Sequence, residues 1–269
     1  MNSHPKKPAL YTYFPPLTPQ TQAIVSIPHS GEWIPDEFKK FLTNDMAALN
    51  QDLDTKVDEL IDIPALQIRG IGVLVAHIHR VCIDLNRSQE NALLFWRENT
   101  QGQKIIHSLP DTEESEILLQ KYWRPFFEIY KALLEDAQRF TSFPFPVVDL
   151  HSMPSSPTAY HLKQNPKQNP VRAAFCLSDQ RGQTCDPLFI ADFATQLSQE
   201  AYTVAINDPY VGGYVTQFVN QFHTNNIQIE IRRNIYMDES SRSLIKPLVE
   251  KLSAHLTQVL SNVLLKWAK

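Results

Sequence analysis

His29 and Glu32 stand three residues apart in SIPHSGEWIPDEF (26–38), directly after a short apolar run. That spacing lets an imidazole and a carboxylate reach one cation from a single turn; it equally describes a polar turn that closes a strand. Other groups capable of chemistry follow other apolar runs. Asn86 and Arg87 come after VCIDL, His151 comes after PVVDL, and Glu230 lies within IQIEI. Two imidazoles and a carboxylate, completed by water, are the ligand set of a catalytic zinc with one position open. A further carboxylate near that water could act as general base, and an arginine could clamp an anionic group of a substrate.

Each residue also has a structural reading. Either histidine could be a hydrogen-bonded turn residue, as could Asn86, and Arg87 could pair with Asp84. His77 and His79, an H-x-H on a β-branched run, read more readily as a partly exposed strand face than as metal ligands. A lone Glu230 among isoleucines is costly to bury without compensation. Recurrence of ligand types at successive strand ends favours a shared site.

Convergence of these groups requires strands that end at one edge of a sheet. AIVSI (23–27), PVVDL (146–150), RAAFCL (172–177) and IQIEI (227–231) read as buried strands, and IGVLVAHIHRVCIDL as one or two strands ending at Leu85. DLDTKVDELIDI, from Asp52, has apolar residues at helical spacing. Asp111 with Glu114 forms a capping-box pattern ahead of a helical stretch to Phe140, which Pro125 should kink or divide. Asp186-Pro187 opens another helix, and an amphipathic helix over 244–267 closes the chain. The long HSMPSSPTAYHLKQNPKQNPV segment exceeds a simple connection. The expected fold is a single-domain α/β protein over 21–269, its central mostly parallel mixed sheet covered by helices on both faces, preceded by an extended arm over 1–20. Ligands then belong beyond the carboxyl ends of the strands.

The 269 residues are 43% hydrophobic, carry a net charge of -4 and include seven glycines and three cysteines. No basic field for nucleic acid, apolar run of membrane length, glycine-rich phosphate loop or C-x-x-C pair is evident, and a reducing cytoplasm is the expected location. The expected partner is a small anionic molecule, with no nucleic acid and no membrane.

SIPHSG, DLDTKVDEL, RVCIDLNR, KYWRPF, VVDLHSM, GGYVTQ and IEIRRNIYMDE occur in an order and spacing that resembles the N-formylglutamate amidohydrolase family from about Ile24 to Glu239. That family is similar in fold to zinc carboxypeptidases and aspartoacylases, and HSGEWI resembles the carboxypeptidase metal motif. The resemblance implies hydrolysis of a small N-acyl amino acid, foremost N-formyl-L-glutamate, in histidine degradation. A deacylase of another acyl or peptidyl amide and a non-catalytic binder of the same fold are the alternatives. It also implies one zinc ion, or another divalent metal, held by His29, Glu32 and His151, with Glu230 activating water. Arg87 and Asn86 would hold a substrate carboxylate, and Gly212, Gly213, Tyr214 and Thr216 would line the pocket. Asp52, Asp54 and Asp58 match an acidic segment of the family. Relatives often lack a glutamate at position 32, which makes Asp54 the rival third ligand. Phe127 stands where a histidine is usual, and EIRRN adds Arg232 and Arg233, the first counted among the substrate-binding candidates.

Overall fold

The computed structural model describes residues 9–141 and 143–268. Its strands are β1 (Tyr11–Phe14), β2 (Ala23–Ile27), β3 (Ile71–Ala76), β4 (Phe145–Met153), β5 (Phe175–Ser178), β6 (Val204–Ile206) and β7 (Thr224–Arg232), in one sheet of order β1-β3-β2-β4-β7-β5-β6. The four central strands β3, β2, β4 and β7 run parallel. β1 and β5 are antiparallel to their inner neighbours, and β6 is parallel to β5. The sheet is therefore mixed but mostly parallel. Among the described residues no helix is long and apolar enough to cross a membrane.

Within the described part of the proline-rich start, Tyr11–Phe14 joins the sheet edge, with Tyr11 opposite Ala76. Residues 1–8 lie outside the description. The helices include α1 (Met46–Asn50), α2 (Ile63–Ile68), α3 (Thr112–Leu118), α4 (Arg124–Gln138), α5 (Ala159–Gln164), α6 (Pro187–Leu197), α7 (Tyr214–Val219) and α8 (Lys246–Trp267). Helices α2, α6 and α8 pack against Val25, Val148, Leu150, Ile227, Ile229 and Ile231 on one face. On the other, α3, α4 and α7 pack against Ile24, Leu74 and Val147.

Side chains on a strand alternate between faces. With Val148, Leu150, Ile227, Ile229 and Ile231 committed to the first face, Asp149, His151, Gln228 and Glu230 fall on the second. The parallel register sets Asp149 beside Gln228 and His151 beside Glu230. This polar patch lies towards the strands' carboxyl ends. Beneath it, Ser26 of β2 donates to Asp149 Oδ1 at 2.6 Å and accepts from the Tyr130 hydroxyl of α4 at 3.1 Å.

Three local readings change. The run from Ile71 stops being a strand at Ala76, because the chain then turns and pairs Ile78 with Trp33 through an isolated bridge. His77 bonds Thr12 and stays part-exposed, whereas His79 is buried against Asn50 and the Val81 amide, so the two do not share one strand face. DLDTKVDELIDI is not one helix: a 3-10 turn over Val57–Leu60 is followed by α2, which Asp62 caps anew. The helical stretch from Asp111 does form behind its capping box, but Pro125 divides it. A π-helical turn over Leu119–Trp123 sits between α3 and α4, absorbing the N–H that proline lacks.

Candidate metal centre

His29 lies just past β2, His151 near the end of β4, and Asp54 in the turn ahead of the Val57–Leu60 helix. Asp54 is tied there by its amide, which donates to the His29 carbonyl at 3.2 Å. All three are buried, and each offers one ligand atom within 4.8 Å of the others. His29 Nδ1 faces Asp54 Oδ2 at 3.7 Å and, despite its burial, has no hydrogen-bond partner among the described residues. His151 Nδ1 lies 3.0 Å from the same oxygen. The other carboxylate oxygen of Asp54 is engaged: Ser152 Oγ donates to Oδ1 at 3.2 Å and Arg233 Nη2 at 3.3 Å. That leaves Oδ2 turned to the imidazoles.

Behind each imidazole stands a second carboxylate. Asp84 Oδ1 is 2.8 Å from His29 Nε2, and Asp149 Oδ2 is 2.7 Å from His151 Nε2. Metal-ligating histidines have this arrangement, because the rear acceptor fixes the tautomer and aims the opposite lone pair. Burial alone would raise the Asp54 carboxyl, but hydrogen bonds and attraction from His151 and His29 hold it well below the usual range. For His151, burial pushes down, yet Asp149 and Asp54 carry it well above its ordinary value. Two imidazoles and a carboxylate, with an orphaned nitrogen aimed between them, fit a divalent cation of the zinc type.

Glu230 is 8% exposed and accepts from Gln228 Nε2 at 2.8 Å. Burial is the main cause pushing its carboxyl up to about 7; His151 pulls it down and Asp54 adds to the rise. Gln228 Oε1 in turn accepts from the Gly213 amide and from Asn86 Nδ2, while Asn86 Oδ1 receives the Val215 amide. A Cβ on Gly213 would lie 2.2 Å from the Asn86 amide group, so only glycine permits this approach. These groups line a cleft of about 350 Å³, together with Arg80, Arg87, Trp96 and Tyr210. Arg80 and Arg87 both lie 5.7 Å from the Trp96 ring centre.

The structure thus brings together His29, His151, Glu230, Asn86, Arg87 and Gly213, and it separates others from them. Glu32 stays outside the cluster, its half-exposed carboxylate 3.1 Å from Lys56 Nζ. A single bridge from Trp33 to Ile78 holds this segment, with Trp33 half-buried and Glu32 facing solvent. Gly31 is needed for the same approach, since a Cβ there would meet the His77 carbonyl carbon at 2.3 Å. Asp54 occupies the position expected of Glu32. Tyr214 packs on Trp123 and Phe127 and Thr216 is buried, so neither lines the cleft. Arg232 turns away to donate to the Arg172 carbonyl at 2.5 Å, and its neighbour Arg233 reaches the site instead. Arg87 does not pair with Asp84, which is taken by Arg80 at 2.9 Å.

Residues absent from the sequence reading include Asp149, Arg80, Gln228, Trp96 and Tyr210, as well as Asp84 and Arg233 in their observed roles. Asp149 had a legible signal: it stands two residues before His151 on the same strand face.

A model of the N-formylglutamate amidohydrolase family matches residues 21–237. The N-formylglutamate deformylase of Pseudomonas aeruginosa is 26% identical over 258 residues, which span 86% of this chain and 92% of that protein. The crystal structure of N-formylglutamate amidohydrolase from Ralstonia eutropha JMP134 aligns over 97% of both chains with a TM-score of 0.80 and 28% identity. A gene product of Agrobacterium tumefaciens shares the fold at a TM-score of 0.68 and 15% identity, over 94% of this chain and 96% of its own. The matched span takes in each of the groups gathered in the cleft, from His29 to Arg233, and the chain belongs to the N-formylglutamate amidohydrolase family.

Proposed function

We propose that this protein is a metal-dependent amidohydrolase that cleaves N-formyl-L-glutamate to formate and L-glutamate, with zinc held by His29, Asp54 and His151. The observation that carries this reading is the buried, unpartnered Nδ1 of His29, aimed at Asp54 and backed through Nε2 by Asp84. When bound, zinc supplies an electrophile for the formyl oxygen and lowers the pKa of a water molecule towards neutrality.

The chain's own groups account for the rest. Glu230 takes a proton from the attacking water as the C–O bond forms, then delivers it to the amide nitrogen as the C–N bond breaks. A carboxyl raised to about 7 by burial is suited to both transfers. Arg87, whose Nε has no partner among the described residues and whose Nη1 meets the Asn86 carbonyl at 3.3 Å, is available to a substrate carboxylate. Asn86 and Gln228 fix the Gly213 loop beside the cleft, and positioning of this kind can supply several kcal/mol of the barrier. All three cysteines are unpaired, which suits a reducing cytoplasm, where the reaction would serve histidine degradation.

A screen of N-formyl, N-acetyl and N-succinyl amino acids on zinc-loaded protein tests the reading. Formate release should be fastest from N-formyl-L-glutamate. Turnover of acetyl or succinyl substrates without any formate release would replace the deformylase with another deacylase.

A further inference from the structure

Arg172 is 3% exposed, and among the described residues no carboxylate forms an ion pair with it. Its Nη1 donates to the Pro154 carbonyl at 3.3 Å and to the Tyr210 hydroxyl at 3.1 Å, and its Nη2 to Gln168 Oε1 at 3.1 Å. Nε is buried without a partner among the described residues. A buried cation surrounded only by neutral acceptors is costly, and the cost falls when an anion comes near.

His161 determines what Tyr210 can do. The Thr158 amide reaches His161 Nδ1 at 3.2 Å, and an amide can only donate, so Nδ1 carries the lone pair. Burial, with Arg172 adding to it, pushes His161 down to about 4 and keeps the ring neutral. The single ring hydrogen therefore sits on Nε2 and is donated to Tyr210 Oη at 2.9 Å. Tyr210 Oη accepts from both His161 and Arg172, and its own hydrogen has no acceptor among the described residues. Tyr210 lines the same cleft as Glu230 and Arg87.

The other arginines of the cleft are committed. Arg80 serves Asp84 and the Asp52 carbonyl; Arg233 serves Asp54, Ser152 and the Gln51 carbonyl. Among the described residues, neither Arg87 in the cleft nor Arg172 behind Tyr210 has a counter-charge. From this we infer that Tyr210 is a second carboxylate subsite, donating its O–H to the side-chain carboxylate of a dicarboxylic N-formyl amino acid while Arg87 takes the α-carboxylate. The identity of the substrate rests on the amidohydrolase reading; the subsite itself rests on the hydrogen-bond directions above. A neutral amide side chain can accept from Tyr210 but brings no charge to Arg172, so glutamate is selected over glutamine.

Titration calorimetry on zinc-loaded protein carrying Glu230→Gln, in which hydrolysis is slowed about 10²- to 10⁴-fold, measures this directly. N-formyl-L-glutamate should bind about 10- to 100-fold more tightly than N-formyl-L-glutamine, the range expected for a charge-assisted hydrogen bond. Adding Tyr210→Phe should bring the two affinities within about threefold, by weakening the dicarboxylate far more than the amide, whose bond to Tyr210 carries no charge. Arg172→Gln, which removes the charge and leaves Tyr210 in place, should also reduce the preference. Equal affinities before Tyr210→Phe, an unchanged preference after it, or equal weakening of both ligands would overturn the subsite. Formate release from the unsubstituted protein tests the hydrolase reading separately; a preference abolished by Tyr210→Phe without any turnover would sink that reading and leave the subsite standing.

Discussion

Replacing Asp84 by asparagine should damage both the fold and the metal centre, because its carboxylate accepts four hydrogen bonds in a fully buried position. Oδ1 receives His29 Nε2 and the Asn86 amide, each at 2.8 Å; Oδ2 receives Arg80 Nη2 and Trp96 Nε1, each at 2.9 Å. Burial alone would raise this carboxyl, yet Arg80 and His29 hold it well below the usual range. In Asp84→Asn one of the two oxygens becomes an NH2, and either orientation sets it against two donors. Each stranded buried donor costs about 1–3 kcal/mol, hence about 2–6 kcal/mol for the pair. Removing the counter-charge of Arg80 is a change worth about 3–5 kcal/mol, which overlaps with that sum. A loss of about 4 kcal/mol is therefore expected, a large share of a typical total of about 5–15 kcal/mol. The imidazole of His29 can accommodate the new NH2 only by moving its hydrogen to Nδ1, the nitrogen that a metal requires. Zinc affinity should fall about 10- to 100-fold as well. Urea unfolding of metal-stripped protein reads the first effect, and competition against a chromophoric chelator reads the second. A stability loss below about 1 kcal/mol with unchanged zinc affinity would refute the role given to Asp84.

The same chelator competition ranks the two rival carboxylates: Asp54→Ala should empty the site, whereas Glu32→Ala should leave zinc affinity unchanged and cost no more than about 1 kcal/mol, the upper end for a surface ion pair. Tight zinc binding by Asp54→Ala would reverse the assignment. Glu230→Gln should retain zinc and lose about 10²- to 10⁴-fold in kcat, so a near-normal kcat would remove Glu230 as the base. In metal-stripped protein, the fold favours protonated Glu230, whose pKa rises from an ordinary 4.5 to about 7. Its contribution to stability is complete below pH 4.5 and is lost as pH rises towards 7. Raised His151 adds a loss of the same sign at higher pH, so urea unfolding of Glu230→Gln should show a shallower decline over the lower window than its parent. Arg87→Lys should raise KM for N-formyl-L-glutamate by about tenfold or more, since an ammonium cannot reproduce a bidentate fork. An equal rise on the α-carboxamide analogue would mean that Arg87 is structural.

Strand periodicity made much of this fold legible. AIVSI coincides with β2, and PVVDL and IQIEI lie inside β4 and β7, because alternate apolar residues face one packed layer. The sequence put His151 only after its strand and Glu230 within another; it is the observed register that sets the two side by side. What periodicity could not supply was conformation governed by partners far along the chain. Nothing local says that Trp33 will pair with Ile78, that Glu32 will face solvent or that Asp54 will lie beside the histidines. Arg232 and Arg233 are chemically identical neighbours; only the end of β7 decides which of them enters the site. A structural pairing of Arg87 with Asp84 is the local alternative, but Asp84 instead bonds Arg80, Trp96 and a histidine 55 positions away. Tyr210 carried no signal by type or spacing, since its importance lies in donors contributed by α5 and by Arg172.

The side chains of this centre meet across long stretches of chain. Asp54 is 97 positions from His151 and 179 from Arg233, and Asn86 is 142 from Gln228. During synthesis, a ribosome that has released the first half of the protein has exposed His29, Asp54 and Asp84 with no imidazole from β4 and no cation from the end of β7. The emerging chain consequently has no preformed cage in which to trap a stray cation. Closing loops of that length is also slow, because their entropy must be lost before the contacts repay it. Occupancy of the centre should then report completion of the whole domain rather than of any segment, and a fragment ending before β7 would be expected to reveal itself by failing to retain metal.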